Sequence, residues 1–341
     1  MKAALLNRPG EIITGEVPDA VIELPTDAVV RVVAAGVCGT DVRAYRGLPG
    51  PVSGPWCGHE FVGVVEDVGT AVETVRVGDL VVAPFMFSDG TCARCARGVP
   101  TSCMAGGMWS VQAGGAQAEA IRVPLADGTL VHVPMDEHDE RVPAVLTLAD
   151  VMPTGYHAVR TAGPVAGATV AVVGDGAVGL CAVLAARRAG AERVLLLGHH
   201  EGRLRIGKGF GATEVVTARG PEGHAQVLDA TGGIGADLVV EAVGEQGALD
   251  TAMAVCADGG VISLVGGPHG AIDMAACFLR NVRLTGGLAP ARAYLPELLA
   301  DVVAGELDPS PVFELTVPLD AADGGYRAMV DRQATKVLVE P

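Results

Sequence analysis

At 341 residues the chain is longer than one hydrophobic core usually organises, so two domains are expected. Half of the residues are hydrophobic and mean hydropathy is +0.39, which excludes a disordered chain. A net charge of −16 excludes general nucleic-acid binding, which needs a basic face to neutralise phosphates.

The N-terminus lacks a long apolar stretch and a cleavage site, so no signal peptide is read there. The longest apolar run, 176–186, is too short for a membrane span, and a cytoplasmic protein is expected. Residues 1–150 carry short valine-rich runs at 29–33, 61–65 and 79–83, punctuated by turn residues, as in a β-rich, barrel-like domain. Two glycine-framed donors fall inside it: Gly36-Val37-Cys38-Gly39-Thr40-Asp41 and Gly58-His59-Glu60. A thiol or imidazole alone is more often a core residue. Together, in loops whose glycines let backbone approach an ion, Cys38 and His59 read as two ligands of one zinc.

Three of the eight cysteines then cluster in Asp89-x2-Cys92-x2-Cys95-x7-Cys103. Without a secretion signal, that spacing favours metal binding over disulfides. Cys57, Cys181, Cys256 and Cys277 read as thiols without a ligand role. Trp109 and Trp56, the two tryptophans, are equally consistent with a substrate cleft and with core or interface packing.

From about residue 154 the texture changes. Strand-like runs at 169–174, 193–198, 214–217, 237–243, 260–266 and 282–286 alternate with helical stretches such as 177–189 and 202–210. This βαβ alternation predicts a doubly wound parallel sheet. Between the first strand and its helix lies Gly174-Asp175-Gly176-Ala177-Val178-Gly179, a G-x-G-x-x-G turn suited to a dinucleotide pyrophosphate. NAD enzymes place an acid at the end of the second strand, where this chain has Gly198. Small Gly198 leaves room for a phosphate, and His199, His200, Arg203 and Arg205 are candidate donors, so NADP is expected over NAD. Glu201 keeps NAD open, and the histidine pair also fits a solvated turn. After about 291 a helix and a last strand, 335–341, are expected to return to the first domain. The expected boundaries are 1–153 with 292–341, and 154–291.

With Gly58-His59-Glu60-x2-Gly63-x5-Gly69, the Cys38 loop, the cysteine lobe and the dinucleotide turn, the chain resembles the zinc-dependent medium-chain alcohol dehydrogenases over nearly its whole length. The resemblance implies an α/β protein, with a β-rich GroES-like catalytic domain and a doubly wound Rossmann cofactor domain. It implies Asp150 as third catalytic zinc ligand, although a helix N-cap is the other reading of that residue. Glu60 is implied as an occasional ligand, and Asp89, Cys92, Cys95 and Cys103 as a second, structural zinc site, with Asp where the family usually has Cys. An emptied lobe is the alternative. Thr154, Gly244 and Val265 join the candidate cofactor contacts.

The implied chemistry is hydride transfer between a nicotinamide cofactor and a small alcohol/carbonyl pair, with Thr40 relaying the proton. Some relatives continue the relay with a histidine where this chain has Arg43, which cannot act as a base. A homodimer or homotetramer joined in part through the edge strand at 282–287 is also implied. The alternatives are an NAD-linked formaldehyde- or polyol-type dehydrogenase, a zinc-free reductase and a non-catalytic nucleotide-binding protein.

Overall fold

The computed structural model describes residues 1–49, 55–267 and 270–341. They form two compact units, Met1–Pro153 with Pro290–Pro341, and Thr154–Ala289.

The first unit is built on a seven-stranded sheet whose centre is the strand Ala28–Val37. Its run of alanine and valine is buried almost throughout, as befits a strand covered on both faces. Phe61–Val68, Ala120–Val123 and Lys336–Glu340 all pair with it antiparallel. The C-terminal strand therefore docks beside the strand that leads into Cys38, with Val337 opposite Val37 and Leu338 opposite Gly36. The register carries Lys336 to the end of the pair nearest Cys38.

Trp109 lies in this core and not in a cleft. It is fully buried, packs edge-on to Phe61 with ring centroids 5.4 Å apart, and touches Phe87 at 5.3 Å. Its indole N–H donates to the Pro84 carbonyl at 2.8 Å, which satisfies its one polar atom. Trp56 is half-buried, next to buried Cys57.

The second unit holds a six-stranded parallel sheet. In spatial order its strands are Glu214–Val216, Arg193–Leu197, Thr169–Val173, Ala236–Glu241, Cys256–Leu264 and Arg283–Gly286. In chain order that is 3-2-1-4-5-6, the doubly wound arrangement, whose order reverses between the first and fourth strands. Val170, Ala171, Leu195, Leu196, Val239 and Val240 are fully buried, so apolar runs replace alternation here. The strand Arg283–Gly286 forms one edge of the sheet. Among the described residues, no helix is long and apolar enough to cross a membrane.

Candidate metal centre and cofactor site

Cys38 stands where the central strand gives way to the helix Gly39–Tyr45. Its backbone N–H donates to Asp41 Oδ2 at 2.9 Å, which fixes the turn. Gly58 enters the second loop with φ of +83°, a left-handed conformation, and a Cβ there would lie 2.7 Å from Gln117. That turn delivers His59 and Glu60 into the interior, where they are 1% and 0% exposed.

Cys38 Sγ lies 3.4 Å from Asp150 Oδ2, and His59 Nε2 lies 3.3 Å from the same oxygen. With metal–sulfur bonds near 2.3 Å and metal–nitrogen or –oxygen bonds near 2.0 Å, the edges of a tetrahedral zinc site span about 3.3–3.6 Å. The three donors are spaced to fit around one ion. Behind them, His59 Nδ1 is 3.1 Å from Asp41 Oδ1, at ion-pair distance though not aligned as a hydrogen bond. This carboxylate orients the ring from its far side.

The electrostatics suit a cation at this point. Burial, and then the Asp150 carboxylate, push the Cys38 thiol up. Burial would depress His59, but Asp41, Cys38 and Asp150 outweigh it and hold the imidazole well above its ordinary range. A cation would displace the protons these groups share.

Glu60 belongs to the same group of potential ligands. Its Oε1 accepts a hydrogen bond from Lys336 Nζ at 2.7 Å, and Lys336 also donates to the Val37 carbonyl at 3.3 Å. A Cβ on Gly36 would sit 2.3 Å from Glu60 Oε2, so the central strand needs glycine there to let the carboxylate pass. Nothing in the sequence marked Lys336 as part of the site; a lysine opening an apolar final strand was the available signal. Thr40 Oγ1 lies 3.4 Å from His59 Nε2. Arg43 donates to the Pro49 carbonyl at 3.2–3.3 Å.

The second group comprises Asp89, Cys92, Cys95 and Cys103, whose donor atoms all lie within 4.8 Å of one another. Cys92 Sγ is 3.7 Å from Cys95 Sγ and 3.9 Å from Cys103 Sγ. A tetrahedral zinc–thiolate edge is about 3.8 Å, so this lobe also fits the ion. Asp89 Oδ1 accepts the N–H groups of Thr91 and Cys92, both at 2.8 Å. Backbone N–H groups, that of Met104 foremost, draw Cys92 down to about 7, where a thiolate is accessible. Cys57, Cys181, Cys256 and Cys277 are buried, and burial pushes Cys57 up to about 12, as for an inert core thiol.

In the second unit the strand Thr169–Val173 turns at Gly174, with φ of +115°, into the helix Ala177–Arg188. A Cβ on Gly179 would lie 1.9 Å from the Gly174 carbonyl, so helix and turn pack as closely as they do only because both are glycine. A Cβ on the N-cap Gly176 would meet nothing within 4 Å. The helix N-terminus, with Ala177 and Val178 in its first turn, therefore faces open space, which suits a pyrophosphate. Gly244 and Val265 follow the C-terminal ends of neighbouring strands. The N–H of Gly244 donates to Glu241 Oε1 at 2.8 Å, and that of Val265 to the Glu241 carbonyl at 3.0 Å. Thr154 is buried in the helix Val151–Arg160.

The room expected at Gly198 is taken. A Cβ at that position would lie 2.5 Å from Asp175 Oδ2, so the carboxylate of the dinucleotide turn fills the space. Asp175 Oδ2 accepts the N–H groups of His199 at 2.8 Å and His200 at 3.0 Å. His200 Nδ1 is 2.9 Å from the same oxygen, and Arg203 Nη1 is 3.7 Å from Oδ1. Arg205 pairs with Glu201 on the helix surface at 2.7 Å. Arg219, which the sequence reading passed over, reaches the His199 ring from the next loop.

Residues 24–135 match the alcohol dehydrogenase GroES-like domain, and residues 177–304 match the zinc-binding dehydrogenase domain. The chain is 36% identical over 336 residues to a probable zinc-binding alcohol dehydrogenase of Mycobacterium tuberculosis, covering 96% of this chain and 84% of that one. It is similar in structure to alcohol dehydrogenase TADH from Thermus sp. ATN1, with a TM-score of 0.91, 32% identity and coverage of 100% and 99% of the two chains. A structure from Sinorhizobium meliloti 1021 bound to NADP aligns with a TM-score of 0.83, at 26% identity and coverage of 100% and 99%. A GroES-like domain, a Rossmann sheet and donor sets spaced for zinc thus occur in one chain, and the protein belongs to the zinc-dependent alcohol dehydrogenases of the medium-chain dehydrogenase/reductase superfamily.

Proposed function

We propose that this protein transfers a hydride between NADP and a small alcohol/carbonyl pair, a secondary alcohol and its ketone or an aldehyde. The observation that carries this reading is the Cys38, His59 and Asp150 donor set, in which Cys38 Sγ and His59 Nε2 stand 3.4 and 3.3 Å from Asp150 Oδ2. Zinc held there supplies Lewis-acid polarisation of the substrate oxygen, and the dinucleotide supplies the hydride carrier.

The chain's own residues do the rest. Asp41 holds His59 in one orientation, and Lys336 holds Glu60 back by a buried ion pair. The Thr40 hydroxyl, 3.4 Å from His59 Nε2, passes the substrate proton outward. Arg43 is a permanent cation bound to a backbone carbonyl, so the relay ends at solvent or the cofactor ribose and not at residue 43. Thr154, Gly174, Gly176, Ala177, Val178, Gly179, Gly244 and Val265 cradle the dinucleotide. The second donor set, Asp89, Cys92, Cys95 and Cys103, holds a structural zinc.

In this reading residues 1–153 with 292–341 form the catalytic domain and 154–291 the cofactor domain. The preference for NADP is supported by the basic side chains around His199 and by the NADP-bound relative of similar fold. The eight free cysteines suit the reducing cytoplasm. Assembly as a homodimer or homotetramer would use the edge strand Arg283–Gly286.

The test is oxidation of a panel of primary alcohols, secondary alcohols and polyols with NAD and NADP, before and after chelation. Loss of activity on chelation and its return with zinc is the expected result. Chelator-insensitive turnover would overturn the metal assignment.

A further inference from the structure

The parallel-sheet unit holds a third group of potential metal donors. Asp175, His199 and His200 each bring one ligand atom within 4.8 Å of the others, and they share no residue with the Cys38 or Cys92 sets. The carboxylate is the fixed element. Asp175 is 5% exposed, and its Oδ2 accepts the backbone N–H groups of His199 at 2.8 Å and His200 at 3.0 Å. Its Oδ1 lies 3.0 Å from His200 Nδ1 and keeps lone pairs for a further partner.

Both histidines converge on this carboxylate. In extended backbone, successive side chains point to opposite sides. His200 has extended backbone, with φ of −94° and ψ of 109°, yet its ring stands beside that of His199, with centroids 4.1 Å apart. A hydrogen bond to Asp175 needs one imidazole, and the turn brings two. Around an ion with bonds near 2.0 Å, an imidazole–carboxylate edge spans about 2.9 Å in octahedral and about 3.3 Å in tetrahedral geometry. His200 Nδ1, 2.9–3.0 Å from the two Asp175 oxygens, is already at that spacing. The exposed His199 ring closes the remaining distance by rotation about its own side-chain bonds. Two cations set the strength of such a site. Arg203 Nη1 is 3.7 Å from Asp175 Oδ1, and the exposed Arg219 lies against the His199 ring. Both oppose a metal ion, so this set binds more weakly than the thiolate-bearing sets and fills only when metal is in excess. Two imidazoles and a carboxylate favour zinc, nickel or copper over magnesium or calcium.

We infer that Asp175, His199 and His200 bind a divalent transition-metal ion, and that this ion, seated on the dinucleotide turn, excludes the dinucleotide. The metal site stands without the nicotinamide reading above. The exclusion rests on it, because a dinucleotide in this fold lays its ribose against the end of the second strand, where the two imidazoles and the hydrated ion would stand. Excess metal then inhibits the protein at a place remote in sequence from the Cys38 donors.

The test is equilibrium dialysis of the untagged, zinc-loaded protein against Ni2+, reading nickel and zinc per chain, with variants His199→Gln, His200→Gln and Arg219→Gln, each checked for an unchanged melting temperature. Wild type is expected to take up one nickel per chain with its zinc content unchanged. Each histidine variant is expected to weaken nickel by at least about tenfold, since even groups that only support a metal ligand have effects of that size. Arg219→Gln is expected to tighten nickel, because a like charge leaves the His199 ring. Fluorescence titration of NADH, which has no 2′-phosphate to ligate the ion, reads the second half. Its apparent dissociation constant is expected to rise with nickel concentration in wild type and to stay constant in His200→Gln. No nickel uptake, nickel that enters only by displacing zinc, uptake indifferent to the histidine variants, or uptake not tightened by Arg219→Gln would each overturn the site. Nickel uptake at these residues with NADH binding unchanged or tightened would overturn the exclusion. Failure of nickel-free protein to bind NADH or NADPH would overturn the nicotinamide reading and the exclusion with it, while the nickel stoichiometry would still decide the site.

Discussion

Glu60 and Lys336 form an ion pair with each side chain at most 1% exposed, 2.7 Å apart, on residues 276 positions apart in sequence. Removing one partner from such a pair strands the other charge in the interior and typically costs about 3–5 kcal/mol. Lys336→Met is therefore expected to lower the urea midpoint sharply, and Glu60→Gln/Lys336→Met to recover most of the loss. A single variant as stable as wild type would show that the pair contributes nothing. Thr40→Val tests a different property of the same site. It removes the hydroxyl near His59 but no metal donor, so turnover should fall about a hundredfold with zinc content unchanged, the usual scale of a lost proton-transfer group. Unchanged turnover would remove Thr40 from the relay.

At the scale of elements, loops do most of the positioning. Asp127, on the short helix Ala126–Thr129, accepts the N–H groups of Glu73 and Thr74 and the Thr74 hydroxyl, and so ties a distant loop to the sheet. Burial pushes its carboxyl up, but the Thr74 and Glu73 donors outweigh that and depress it. A carboxylate depressed in the folded state contributes stability above its unfolded pKa of about 3.9, and loses it as pH falls through the folded value. Asp127→Asn should cost about 1–2 kcal/mol in urea unfolding at pH 7, with the deficit closing in strong acid.

The cysteine lobe makes a second prediction. Asp89 already takes two backbone N–H groups on one oxygen, so Asp89→Cys should raise the lobe's resistance to chelator by adding a thiolate. Equal metal loss from both proteins would refute that.

The family, the GroES-like and Rossmann architecture and the cysteine lobe were legible in the sequence, because metal loops and the dinucleotide turn impose short, fixed spacings. What was not legible depends on contacts that no spacing records. Asp175 fills the space beside Gly198 from another turn, and Lys336 arrives at Glu60 by strand pairing.

In the whole molecule, the donor sets around Cys38 and Cys92 both lie in the unit Met1–Pro153 with Pro290–Pro341, and the candidate dinucleotide contacts all lie in Thr154–Ala289. Each unit has its own sheet and its own buried core, so the two sites need not fail together. Chelation removes charges that the first unit gathers around Cys38 and Cys92, and the resulting repulsion and orphaned donors act on that unit's stability. The parallel sheet and the glycine turn at 174–179 contain none of these donors. Chelated protein should lose turnover by about a hundredfold or more, since a Lewis acid accounts for several kcal/mol of barrier, and should melt at a lower temperature. Its dissociation constant for NADPH should stay within about twofold of the zinc-loaded value. Metal analysis separates the two lobes: wild type should carry two zinc ions per chain, and Cys38→Ser and Cys95→Ser one each. Cys38→Ser should abolish turnover, whereas Cys95→Ser should keep turnover while losing thermal stability. A chelated protein that no longer binds NADPH would show that the dinucleotide site depends on the metal-bearing unit, and a division of labour between independent units would then be wrong.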